Sequence, residues 1–242
     1  MNQSDFMSEE KLAVLASGRG SNFKAILEHV DFNILQNVEV EVLISDNPNA
    51  KALEIAENFG IENEVMVPDD KTREEHDKEI LEILREKNIT TVALAGYMKI
   101  ITPILVKNFK NNMLNIHPSL LPSFPGLNSQ EKALEYGVKV SGCTIHYVTE
   151  EIDSGPIILQ HPVPVMEEDE FEDLSKRTLI FEHRLFSKAL QLHVDNRLTV
   201  NEGKVSIDYS KNWEEGWNER QEKFIRYQKK EWDNKYFEKV WT

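Results

Sequence analysis

One cysteine, Cys143, stands among 242 residues, so no disulfide can form within the chain and a reducing, cytoplasmic setting is expected. No run approaches the ~20 apolar residues that a membrane-crossing helix needs, and no signal-peptide pattern opens the sequence. Basic residues are scarce: 28 Lys and Arg against 42 Asp and Glu leave a formal charge of −14, which argues against sequence-independent nucleic-acid binding. An anionic small molecule is still admissible, because the amide groups at a helix N-terminus attract phosphate locally against a negative background. No spacing of His, Cys and Asp suits a metal, so a metalloenzyme is not expected.

The chain does have a core: 40% of its residues are apolar, enough for one large domain. Apolar runs at 12–17, 38–45, 64–67, 91–95, 113–117, 141–147 and 157–163 read as strands. Helical periodicity marks 21–30, 51–59, 71–87, 103–109, 129–136 and 169–195, with a hairpin at 198–207. Strands alternating with helices predict an α/β, Rossmann-like, mostly parallel sheet with helices on both faces. Residues 1–10, polar and acidic, are expected to be a frayed lead-in, 11–207 one domain, and 208–242 an aromatic-rich helical extension. All four tryptophans fall in that extension, where Trp213, Trp217, Phe224, Tyr227 and Trp232 are spaced as on an amphipathic helix. It is expected to pack on the main domain or on a second subunit, so a homodimer to which the tail contributes is left open.

Two segments carry chemistry. Gly18-Arg19-Gly20-Ser21-Asn22 joins a strand to a helix, the geometry in which glycines let the backbone approach an anion and first-turn N–H groups face it. A dinucleotide loop needs a third glycine where Phe23 stands, which leaves a mononucleotide or sugar phosphate, or a plain turn capped by Ser21 or Asn22. Further on, Asn115-Ile116-His117-Pro118 ends a strand, and alternation puts Asn115 and His117 on one side, at the end where open α/β sheets hold ligands. Asp153 lies in a turn able to face the same crevice. An amide, an imidazole and a carboxylate suffice for acyl transfer to an amine: the amide stabilises an oxyanion, the imidazole carries a proton, and the carboxylate orients it.

These segments, with Leu94-Ala95-Gly96-Tyr97-Met98, the continuation Ser119-Leu120-Leu121-Pro122, and Asp153-Ser154-Gly155-Pro156, occur in an order that resembles the folate-dependent formyltransferases, specifically the phosphoribosylglycinamide formyltransferase branch. The resemblance implies the formyltransferase fold and transfer of the formyl group of 10-formyltetrahydrofolate, as co-substrate and without a metal, to glycinamide ribonucleotide in purine synthesis. It implies catalytic roles for Asn115, His117 and Asp153, a phosphate cradle at Gly20, Ser21 and Asn22, and an acceptor contact at Glu182, although a helix glutamate is ordinarily a surface group. Folate contacts are implied for Arg73, Met98, Lys99, Ile100, Ile101 and Asn115, with the 150–153 turn closing over the pterin. Residues 11–110 would then form the phosphate and acceptor half, and 111–207 the folate and catalytic half.

The chain departs from the resemblance at Asn128, where a histidine is common, and at Lys99, where an arginine is frequent. His146 is readable as a second proton relay or as a strand histidine fixed by hydrogen bonds. Other activities stay open: formyl transfer to an amino-sugar nucleotide, deformylation of formyltetrahydrofolate by water, or a silent binding or scaffold role.

Overall fold

The computed structural model describes residues 9–231. Strands β1 (Glu10–Leu15), β2 (Val38–Ser45), β3 (Glu62–Val65), β4 (Thr91–Leu94), β5 (Met113–His117), β6 (Val140–Tyr147) and β7 (Ile157–Pro164) form one sheet in the order β3-β2-β1-β4-β5-β6-β7. Pairings from β3 through β5 are parallel, whereas β5–β6 and β6–β7 are antiparallel. The helices are α1 (Ser21–Asp31), α2 (Lys51–Phe59), α3 (Arg73–Glu86), α4 (Pro103–Asn108), α5 (Ser129–Tyr136), α6 (Phe171–Val194) and α7 (Lys211–Glu231). A separate hairpin pairs β8 (Leu198–Asn201) with β9 (Lys204–Ile207). The two expected halves share this sheet, since β4 and β5 pair directly.

Strand β1 shows why the sheet is covered on both faces. Leu12 and Val14 point into one core with Phe23 and Ile26 of α1 and Phe186 and Leu190 of α6. Ala13 and Leu15 point into another with Ile80 and Leu84 of α3 and Leu105 of α4. A strand buried on both sides loses polar alternation and reads as a continuous apolar run.

Where boundaries differ from the sequence expectation, capping and edge position explain the shift. Thr72 accepts from the Glu75 amide while Glu75 reaches back to the Thr72 amide, so α3 starts at Arg73 rather than at 71. The Glu170–Asp173 pair likewise starts α6 at Phe171. β3 lies at Glu62–Val65 rather than 64–67 because this polar edge strand is placed by its ladder to β2, Val42 opposite Glu62. The opposite edge, β7, contains Pro162 and Pro164.

In the tail, Trp217 and Phe224 are buried with Ile34, so α7 packs on the same chain. The Tyr227 side chain, Trp232 and Trp241 lie outside the described residues, as do residues 1–8 of the expected lead-in. Among the described residues no helix is long and apolar enough to cross a membrane.

Candidate active site

Antiparallel pairing sets Asn115 opposite His146 and His117 opposite Thr144. Opposed residues share a sheet face, so four polar side chains from two strands line one patch. Asp153 comes to it from the β6–β7 loop, in a left-handed conformation at φ 49°. Gly155 lets this loop fold back, since a Cβ there would lie 1.7 Å from the Tyr147 carbonyl oxygen. The three expected residues converge: His117 Nδ1 is 3.2 Å from Asp153 Oδ2, and Asn115 Nδ2 is 3.5 Å from Asp153 Oδ1.

Backbone carbonyls decide where the ring protons reside, because a carbonyl only accepts. His117 Nε2 lies 2.9 Å from the Phe124 carbonyl, so Nε2 carries a proton and Nδ1 faces Asp153. Burial pulls the His117 pKa below its ordinary value, against the upward pull of the Phe124 carbonyl and Asp153. The neutral ring therefore holds a basic nitrogen against a carboxylate, and a proton arriving there completes both hydrogen bonds. Asp153 is pushed up by burial, but the Gly126 amide at 2.7 Å and the neighbouring imidazoles of His146 and His117 hold it below the usual carboxylate range.

His146 takes the second of its two expected readings, and more besides. Its Nδ1 donates to the Tyr147 carbonyl at 2.9 Å, so Nε2 accepts from Asn115 Nδ2 at 3.1 Å. Both Asn115 donors are thereby turned toward His146 and Asp153. The longer bond, to Asp153, is the one to be released for the amide to serve an oxyanion.

The loop after β5 is tied to the sheet by groups that sequence reasoning missed. Thr144 Oγ1 donates to the Ser119 carbonyl and accepts from the Leu121 amide, while Gln160 Nε2 donates to the Leu121 carbonyl. Threonine and glutamine in strands carry no local signal for this. Asn128 is exposed at the left-handed N-cap of α5, and the Gly126 amide two residues earlier supplies the hydrogen bond to Asp153.

At the other end, Gly20 has φ 71°, and a Cβ there would lie 2.8 Å from Cα and Cβ of Ala52. Ser21, Asn22 and Phe23 open α1, where no helical carbonyl precedes their N–H groups. Asn22 Nδ2 donates to Glu182 Oε2 at 2.8 Å across 160 residues of sequence. Glu182, far from being a surface group, is buried, and burial raises its pKa against the Asn22 bond and the Arg19 charge. Gly20→Ala is expected to combine left-handed strain with a backbone clash, roughly 2–4 kcal/mol together. In a thermal melt that is a fall of roughly 5–15 °C; an unchanged melting temperature would contradict the steric account.

Of the expected folate positions, Met98 and Ile100 are exposed, while Ile101 is buried in the α3–α4 core. The Met98 amide donates to Ser17 Oγ at 2.8 Å, tying this segment to the end of β1, and Lys99 lies 3.6 Å from Asp46. Arg73 is exposed, and among the described residues no hydrogen bond or ion pair joins it to this segment. Asp77 makes the link from α3, accepting from the Thr102 amide at 2.6 Å. Two surface hollows, of about 550 and 570 Å³, include none of Asn115, His117 and Asp153. Among the described residues no group of three or more His, Cys, Asp or Glu is placed to hold a metal ion.

The formyl transferase family model matches residues 10–190. The chain belongs to the formyl transferase family. It is 35% identical to the phosphoribosylglycinamide formyltransferase of Escherichia coli (strain K12), covering 81% of this chain and 93% of that one. The solved glycinamide ribonucleotide transformylase 1 of Symbiobacterium toebii superposes with a TM-score of 0.82 at 42% identity, covering 86% of this chain and 98% of that one. The human trifunctional purine biosynthetic protein adenosine-3 is 42% identical over 81% of this chain, which spans about a fifth (19%) of that relative's length. Helix α7 lies beyond the residues that the family model matches.

Proposed function

We infer that this chain transfers the formyl group of 10-formyltetrahydrofolate to the amine of glycinamide ribonucleotide. The observation that carries the reading is the meeting of Asn115, His117 and Asp153 within 3.5 Å on a sheet whose β1–α1 turn also offers a phosphate cradle. Residues 11–207 carry the reaction, and 208–242 form an extension. The buried Cys143 thiol, pushed up in pKa by burial, fits a reducing cytoplasm.

In this mechanism the first-turn amides of Ser21 and Asn22 hold the acceptor phosphate, and Glu182, fixed by Asn22, takes the acceptor's polar backbone. The segment from Met98 to Ile101, with the 150–153 turn, holds the folate. The acceptor amine attacks the formyl carbon directly, so no covalent enzyme intermediate is needed. Asn115 swings a donor from Asp153 to the developing oxyanion, an interaction of the kind worth roughly 10²–10³ in rate. His117 Nδ1 takes the amine proton, and Asp153 at 3.2 Å stabilises the resulting imidazolium before the proton passes to the leaving folate nitrogen. Fixing both substrates in one crevice supplies up to ~7–11 kcal/mol of the barrier reduction.

The test is formyl transfer followed spectroscopically with purified protein, 10-formyltetrahydrofolate and, in separate reactions, glycinamide ribonucleotide, an amino-sugar nucleotide, or water alone. Turnover confined to glycinamide ribonucleotide is the expected result. Equal folate turnover without any amine acceptor would replace the reading with deformylation.

A further inference from the structure

Helix α7 follows the β8–β9 hairpin and lies outside residues 10–190, the span of the family model. Its docking is specific. Trp217 and Phe224, two turns apart, are buried with Ile34 in the loop after α1. Phe224 meets the His29 ring edge-on at 4.6 Å and the Phe32 ring at 5.3 Å. Between them Arg220 donates Nε to the Ile34 carbonyl at 3.1 Å, with its guanidinium 5.8 Å from the Trp217 ring. One turn earlier Trp213 stacks on Trp217 at 6.0 Å and donates Nε1 to Asp195. Asp195 is the C-cap of α6 and also accepts from Gln191, whose amide in turn grips the Gln36 backbone. Helix α7 thus ties the far end of α1 to the far end of α6.

These are the two helices that carry Asn22 and Glu182. Asn22 and His29 are seven residues apart on one face of α1, about 10 Å along its axis. The interface between the helices is apolar but poorly satisfied. Both ring nitrogens of His29, Nε2 of His183 and Oγ of Ser187 are buried without a partner, as are both amide atoms of Gln221 on α7. A polar atom buried without a partner is costly against its hydrated state, so the His29, His183 and Ser187 atoms favour opening of the α1–α6 seam. Burial of Trp217 and Phe224 opposes that opening.

We propose that α7 is a positioning strap: by clamping the ends of α1 and α6 together it fixes how Asn22 and Glu182 meet, and so sets affinity for the phosphate-bearing amine. The proposal rests on the reading of Asn22 and Glu182 as the acceptor end of the site. Trp217, Arg220 and Phe224 are then positioning residues that touch no substrate.

Because every tryptophan lies between 213 and 241, intrinsic emission reads the tail without background from the main domain. In the full chain, Phe224→Ala is expected to shift that emission to longer wavelength and raise the acceptor KM roughly tenfold, an ordinary size for coupling between sites. Folate KM and kcat should stay within about twofold, since the Asn115–His117–Asp153 cluster is untouched, and Phe224→Leu should restore most of the acceptor affinity. Shifted emission with an unchanged acceptor KM overturns the strap. If Phe224→Ala does not fold, Arg220→Ala asks the same question by removing only the Ile34 carbonyl bond and the ring contact, and an unmoved acceptor KM there overturns it equally. If the wild-type protein uses no amine acceptor, the functional reading fails separately. The strap is then judged by amide hydrogen exchange in residues 23–27: faster exchange in Phe224→Ala supports it, and equal exchange refutes it.

Discussion

Replacing His117 by asparagine is expected to lower turnover by at least ~100-fold while both KM values stay within about threefold. The asparagine amide takes the place of Nδ1 and can donate to Asp153, and Ser119 Oγ, on the Ser123 carbonyl at 2.6 Å, still anchors the loop, but no nitrogen is left to take the amine proton. Asp153 would not be stranded, because the Gly126 amide at 2.7 Å and Asn115 still hold it. The fold should survive, and a loss of melting temperature beyond a few degrees would mean that the ring is structural. The pH profile supplies a second reading. With the His117 pKa drawn below its ordinary value by burial, the basic ring persists into mildly acidic solution, and the acid limb of kcat/KM is expected to belong to it. In the variant that limb should vanish, and a wild-type-like acid limb would reassign it to another group.

Acid should also destabilise this protein steeply, and earlier than carboxylate titration alone would cause. Burial draws the pKa of His29 to about 3 and that of His183 to about 4, against ordinary values near 6.5. Below about pH 6.5 the unfolded chain takes up protons that the native state refuses, so stability present above that pH is lost as pH falls. Each group contributes a slope of about 1.36 kcal/mol per pH unit, and near pH 4.5 the two together cost roughly 5 kcal/mol. Asp153 and Asp169, held below the carboxylate range, add losses of the same sign at still lower pH. Glu182, raised by burial, works the other way. Urea midpoints at about pH 7.5 and 4.5 measure this, and His29→Leu should flatten the dependence. A wild-type midpoint that holds steady between those values would show that both imidazoles find partners in solution.

How much was legible in the sequence depended on whether the cause was local. Val38–Ser45, Lys51–Phe59, Met113–His117 and Ser129–Tyr136 stand where the apolar pattern places them. The Asn115–His117 pair followed from strand alternation and needed only β6 to complete it. What was not legible came from distant partners. The burial of Glu182, taken as an acceptor contact on the resemblance alone, was not legible in its own helix because the bond that holds it belongs to Asn22, 160 residues earlier. The support of Asp153 by the Gly126 amide escaped notice because any residue there presents the same N–H group, and only the fold aims it. The burial of the Ile101 side chain was not legible either, because its neighbours Ile80, Leu84 and Leu105 come from α3 and α4. The aromatic spacing of the tail announced a helix, but its seat, Ile34 with His29, is written in α1 and the loop behind it.

The two rims of the sheet bear on how copies of this chain can associate. β3 is a four-residue strand bearing Glu62 and Glu64, and β7 carries Pro162 and Pro164, which have no N–H to offer a neighbour. Continuation of the ladder from one molecule into the next is therefore blocked at one side by charge and at the other by missing donors. Pairing of two copies is thus expected through helices and loops rather than by strand addition at either rim.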